Sequence, residues 1–139
     1  MSLQHDLDLM NVGNWNVLIV DDVFDNIAIA QAILLHNGAE VETAIHGEDG
    51  FRVMESFTPN IILMDLSMPE MDGWEMHEQL RANPETESII VIALTAHAMH
   101  GDREKVEEAG FDGYISKPFS VRTIIDEIKA IINSRIVKA

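Results

Sequence analysis

Three apolar runs and one short strand in this chain each end on a residue with chemistry of its own. Asp21-Asp22 follows Val17-Leu18-Ile19-Val20, Asp65 follows Ile61-Ile62-Leu63-Met64, Thr95 follows the run 89–94, and Lys117 follows the short run 113–116. Carboxylates gathered at one place repel by several kcal/mol at intermediate dielectric, so the set calls for a cation or a proton. An all-oxygen acidic site with open space beside it favours Mg²⁺, with Mn²⁺ as a substitute, because such an ion keeps several waters and leaves room for a phosphoryl oxygen. An Asp carboxylate is also a competent nucleophile for phosphorus, giving an aspartyl phosphate once positive charge offsets that of the transferring group. Mg²⁺ on one side and the Lys117 ammonium on the other meet that need, and the Thr95 hydroxyl is placed to hydrogen-bond the phosphoryl group after it arrives.

These residues act together only if the fold gathers them, and the pattern between them says how. Residues 17–20 form a β-branched strand buried on both faces. Residues 25–37 read as a helix closed by Gly38 at C′, and 40–44 as a second, weaker strand. A helix over 47–57 is broken by Pro59, and 60–65 is a third strand that ends on an acid. Past Pro69, Asp72 is a helix N-cap for a helix to about residue 83. Strand 89–94, helix 102–109, strand 113–116 and helix 120–135 follow. Strands too apolar to face water, alternating with helices, require a parallel sheet covered on both sides, a three-layer α/β domain. In open sheets of this kind the ligand site lies beyond the carboxyl ends of the strands, where the acids, Thr95 and Lys117 fall.

Composition narrows the function. The 139 residues suffice for one domain, with residues 1–14 a polar tail and 15–139 the domain. No apolar run reaches the roughly 18 residues of a membrane span, and no signal peptide is visible, so membrane insertion is not expected and a cytoplasmic location is. Cysteine is absent, which removes disulfides and thiolate zinc sites. A formal charge of −15, with nine Lys and Arg spread along the chain, repels phosphate backbones and argues against direct nucleic-acid binding.

Asp21-Asp22, Asp65 with Met68-Pro69 and Asp72-Gly73, Thr95-Ala96 and Lys117-Pro118, over about residues 16–132, together resemble the receiver domain of two-component signalling. The resemblance implies a flavodoxin-like, doubly wound fold, with a five-stranded parallel sheet in the order 2-1-3-4-5 and five helices. It implies Asp65 as phosphoacceptor, and Asp22, Asp65 and the Ser67 carbonyl as direct Mg²⁺ ligands, with Asp21 acting through a metal-bound water. It implies a cis bond before Pro118 and a switch made of Thr95 and Tyr114, whose rearrangement reshapes the surface of the fourth helix, fifth strand and fifth helix to control protein partners. Ser67 and His97, two positions after Asp65 and Thr95, stand where the family tunes the phosphate's lifetime. The donor would be a histidine kinase or a histidine phosphotransfer protein, and the downstream protein is not named by the sequence.

Other readings differ on particular residues. Asp25 and Asp72 read as turn or cap residues, and His97 and His100, which could share a helix face at i and i+3, as surface residues lacking a third ligand. A Mg²⁺ phosphohydrolase with an Asp nucleophile would carry a second acid two residues later, where Ser67 stands. A pseudo-receiver would lack an acid or the lysine, and none is missing. If Ile29, Ala30, Ile33 and Leu34 face the sheet, then Ile27, Ala28 and Leu35 lie outside as a surface for a helical donor. Only residues 136–139 follow the last helix, so the chain reads as a stand-alone receiver or one cut from a larger regulator or hybrid kinase.

Overall fold

Alternation along the strands sorts the core into two layers. In a computed structural model, which describes residues 8–66, 73–95, 102–117 and 120–138, β1 (Asn16–Val20), β3 (Ile61–Asp65) and β4 (Ile90–Thr95) are almost wholly buried. β2 (Glu40–Ala44) and β5 (Gly113–Ser116) flank them and keep exposed positions, as edge strands do. All pairs are parallel and the order is β2-β1-β3-β4-β5. Side chains alternate across the sheet: Val17 and Ile19 join one cluster with Leu34, Ile128 and Ile132, whereas Leu18 and Val20 join another with Met76, Leu80 and Val106. So α1 (Phe24–His36) and α5 (Ile124–Lys138) cover one face, and α3 (Gly73–Ala82) and α4 (Asp102–Ala109) the other, where α2 (Gly47–Val53) packs on α3. This is the three-layer, doubly wound α/β arrangement expected. The chain passes from β1 outward to β2 and returns to β3 on the other side of β1, so the strand order reverses between β1 and β3 and leaves a crevice at their carboxyl ends.

Helix ends follow local chemistry. Gly38 at φ +99° closes α1, with its N–H donating to Leu35 O and that of Ala39 to Leu34 O, so orphan carbonyls of the last turn are satisfied. The helix expected over 47–57 stops at Val53, because the Ser56 and Phe57 N–H groups both turn back to Val53 O. The last helix starts at Ile124 rather than at Ser120, whose carbonyl instead accepts from Thr123 and Ile124 in a preceding turn. Within the stretch read as a tail, Leu9 and Val12 reach the α1/α5-side core, and Leu9 O accepts a 2.7 Å hydrogen bond from Trp15 Nε1. A segment this short offers no periodicity from which to read that packing. The proposed N-cap at Asp72 and the peptide bond before Pro118 lie outside the described residues.

Candidate functional site

Asp21 leaves the end of β1 with its N–H bonded to Ala44 O, which ties it to β2, and its Oδ1 accepts from Val23 N at 2.9 Å. That second bond turns the chain into α1 and aims the other oxygen, Oδ2, inward. Oδ2 is fully buried and receives no well-directed hydrogen bond; its company is the Lys117 ammonium at 2.9 Å. Asp65 ends β3, beside Leu94 of β4, and its Oδ1 lies 3.3 Å from the same ammonium. Asp22 is exposed, yet one of its carboxylate oxygens lies within 4.8 Å of ligand atoms of both Asp21 and Asp65. Lys117 is held over the pair by its own N–H, which donates to Thr95 O at 2.9 Å.

Among the described residues, three carboxylates against one ammonium leave a formal surplus of two negative charges in a largely buried crevice. A divalent cation offsets that imbalance, and the buried Asp21 Oδ2, short of hydrogen bonds, together with the exposed Asp22, gives oxygen donors from inside and from the solvent side. The residues present therefore fit a hard dication. Thr95 is buried at the end of β4. Ala93 belongs to the α3/α4-side cluster, so alternation puts Thr95 on that same face, as it does half-buried Tyr114, the register partner of Ala93. Ser67, His97 and His100 lie outside the described residues.

The face of α1 departs from expectation. Ile27 is buried, only 7% exposed, with Ala30 and Leu34, while Ile29 is 46% exposed. At 100° per residue, positions 27, 30 and 34 form one narrow stripe; of the expected inward set, Ala30 and Leu34 lie on it, Ile33 is partly buried against the same core, and Ile29 falls outside. Ile27 therefore belongs to the core and offers no docking surface. Leu35 is exposed as expected, in line with Phe24 three turns earlier, which is 78% exposed and stands two residues after Asp22.

Sequence reasoning did not anticipate a second charged cluster at the opposite edge of the sheet. Asp112 Oδ2 accepts from Arg81 Nη2 at 2.9 Å, Arg135 Nη1 at 3.2 Å and Val91 N at 2.8 Å, which links α3, α5, β4 and the start of β5. Arg81 also donates to the carbonyls of Glu87 and Ile89. Burial lowers the Arg135 pKa from its ordinary value, the Asp112 carboxylate opposes this, and the neighbouring Arg81 adds to it. Next to this cluster His77 is buried and stacked on Phe111 at 3.9 Å, with its Nε2 unbonded.

The site and fold define a class, and comparison with known proteins agrees. A profile of the response regulator receiver domain matches residues 17–129, and the chain belongs to that family. It is 36% identical over 115 residues to the polar-differentiation response regulator DivK of Brucella anthropi, covering 83% of this chain and 94% of that protein. Among solved structures it resembles the receiver domain of a sensor histidine kinase from Pseudomonas aeruginosa, which carries a magnesium ion coordinated in its active-site cleft. The TM-score is 0.76 and the identity 31%, over 86% of this chain and 98% of that one. A putative response regulator from Chloroflexus aurantiacus aligns at TM-score 0.79 and 27% identity, over 86% and 98%. The protein is thus a receiver of two-component signalling, a phosphoacceptor class rather than one of true enzymes.

Proposed function

We propose that the chain accepts a phosphoryl group on Asp65 in a Mg²⁺-dependent reaction and passes the signal on through protein contacts. The observation that carries this reading is the crevice itself: three carboxylates within 4.8 Å, two of them bridged by one buried-side ammonium at 3.3 Å or less. Asp22 and Asp65, with the Ser67 carbonyl, would hold Mg²⁺, and Asp21 would act through a bound water. When bound, the ion supplies the charge that lets an anionic phosphoryl group approach an anionic carboxylate. Asp65 then attacks phosphorus, the bond from phosphorus to the donor breaks, and the electron pair leaves with the donor, an imidazole nitrogen if the donor is a phosphohistidine. Lys117 gives its ammonium to the arriving oxygens, and Thr95 donates its hydroxyl. Thr95 and Tyr114, on one face of the sheet, are the pair whose rearrangement would reshape the α4, β5 and α5 surface for a downstream protein. Ser67 and His97 are the positions proposed to tune hydrolysis.

The donor is a histidine kinase or phosphotransfer protein meeting this receiver in the cytoplasm, and among the described residues no helix is long and apolar enough to cross a membrane. It would dock along the outward face of α1, where Phe24 is exposed at the end beside the crevice and Leu35 three turns further along the helix. Leu35→Glu should slow transfer from a phosphohistidine donor and leave acetyl phosphate unaffected; equal slowing of both would remove docking as the cause.

Intact mass after incubation with Mg²⁺ and acetyl phosphate tests the chemistry. Wild type should gain one phosphoryl group, and Asp65→Asn or chelated protein none. A wild type that stays unmodified under saturating Mg²⁺ would point instead to a pseudo-receiver, and sustained turnover of generic phosphomonoesters to a phosphohydrolase.

A further inference from the structure

Gly73 opens α3, and its N–H donates to Leu66 O at 3.2 Å. A Cβ built on it would lie 2.2 Å from Asp65 O, 2.9 Å from Leu66 Cα and 3.0 Å from Asp65 C. All three are backbone atoms, so no side chain can rotate out of the way. The other tight helical glycine differs: a Cβ at Gly50 would meet Met76 Cε at 2.8 Å, the far end of a flexible side chain. At Gly113 the obstacle is likewise a side chain, that of Ile131.

We infer that Gly73 is a positioning residue for the phosphoryl acceptor: by lacking a side chain it lets the first turn of α3 rest on the peptide that follows Asp65, and so fixes the direction of that carboxylate. The inference rests on the reading of Asp65 as acceptor. Asp65 is the last residue of β3, so its backbone is braced by the sheet on its N-terminal side only. On the other side the brace is α3, which contacts both the Asp65 carbonyl and Leu66. A methyl group at position 73 cannot be absorbed by repacking. Either the helix or the Asp65–Leu66 peptide must move by about 1 Å, since real Cβ contacts below 3.0 Å are essentially absent. The Asp65 carboxylate swings with its backbone, and its distances to Lys117 and to Asp21 and Asp22 change together.

The test is a matched pair, Gly73→Ala and Gly50→Ala, since each adds one methyl to a helical glycine on the same side of the sheet. Initial rates of phosphorylation by acetyl phosphate are measured at saturating donor and saturating Mg²⁺, with Mg²⁺ affinity read from the shift in melting temperature. Misplacement of a reacting group by about 1 Å costs roughly a hundredfold in rate. Gly73→Ala should therefore fall at least about tenfold in maximal rate and bind Mg²⁺ more weakly, while melting cooperatively, and Gly50→Ala should stay within about twofold of wild type. A merely structural role would lower the melting temperature of both variants and leave the maximal rate of the folded fraction unchanged. Wild-type rate and Mg²⁺ affinity in folded Gly73→Ala would overturn the inference. If that variant is unfolded, the same assays are run in trimethylamine N-oxide, which favours compact states. A folded but slow protein there supports the inference, and failure to fold even there overturns it, because Gly73 would then be a requirement of the whole domain. Wild type run alongside separates the two readings: absence of a wild-type adduct sinks the phosphoacceptor reading, and the Mg²⁺ shift still decides the role of Gly73.

Discussion

The two edges of the sheet hold charge in opposite ways. At the carboxyl edge three carboxylates lie together, two of them sharing one ammonium, and the buried Asp21 Oδ2 has no well-directed hydrogen bond. At the amino edge a single carboxylate oxygen, Asp112 Oδ2, takes donors from two guanidiniums and a backbone N–H. Both clusters join elements far apart in sequence, and both cost desolvation energy. The amino-edge cluster is internally satisfied: its surplus positive charge rests on arginines whose side chains are about a quarter exposed, and the other donors of Arg81 find carbonyls. The carboxyl-edge cluster, among the described residues, keeps more carboxylates than cations, the imbalance a divalent cation would offset. Buried charge alone does not mark a functional site; a surplus of one sign gathered in a crevice is the stronger pointer.

Breaking the amino-edge cluster should have the largest effect on stability. Asp112→Ala strands two partly buried arginines and the Val91 N–H, and should cost about 3–4 kcal/mol in chemical denaturation. The rate of Asp65 phosphorylation in the folded fraction should not change, because the two clusters lie at opposite edges of the sheet. A variant that kept wild-type stability, or lost phosphorylation while fully folded, would erase the proposed division of labour.

His77 allows a gentler perturbation beside the same cluster. Desolvation, and next the Arg81 charge, lower its pKa from 6.5 to about 4, against the Gly110 carbonyl and the Asp112 charge, which raise it. The unfolded chain therefore takes up the proton near pH 6.5 and the folded chain only near 4. The stability that neutral His77 permits is fully present above about pH 6.5 and declines as pH falls towards 4. The loss should reach about 2–3 kcal/mol. His77→Phe, which keeps an aromatic ring against Phe111, should remove that slope; identical pH dependence of unfolding in the two proteins would show that His77 does not titrate in this way.

The carboxyl-edge cluster was legible in the sequence because each of its members follows a segment that reads as a strand, and strand ends in a parallel sheet share one edge. Asp21, Asp22, Asp65 and Lys117 need no knowledge of side-chain packing to be brought together. The amino-edge cluster was not legible, since Arg81, Asp112 and Arg135 sit 31 and 23 positions apart on two helices and a turn, where charged residues are ordinary. The orientation of α1 failed for a different reason: the helix is apolar almost all round, so its period does not single out the buried stripe, and only packing places Ile27 inside and Ile29 outside. The glycine of Asp72-Gly73 was visible as part of a motif, but its contact with the Asp65 carbonyl is a property of the folded chain.

The smallest expected effect completes the deficient edge instead of breaking the sufficient one. Magnesium that binds the folded chain alone stabilises it by mass action, by about 1.4 kcal/mol at tenfold excess over its dissociation constant. The gain should saturate with Mg²⁺ and be mimicked only partly by monovalent salt, which screens the carboxylates without bridging them. Asp22→Asn should reduce the gain while leaving the metal-free protein as stable as wild type or more so, because it removes an exposed negative charge from a repelling set. Arg135→Lys, at the other edge, should weaken the metal-free protein and leave the Mg²⁺ gain unchanged. Melting curves over a Mg²⁺ titration of the three proteins read all of this together. If Arg135→Lys lowers the gain as much as Asp22→Asn does, the two edges are energetically coupled, and the contrast between a self-sufficient cluster and a ligand-dependent one does not hold.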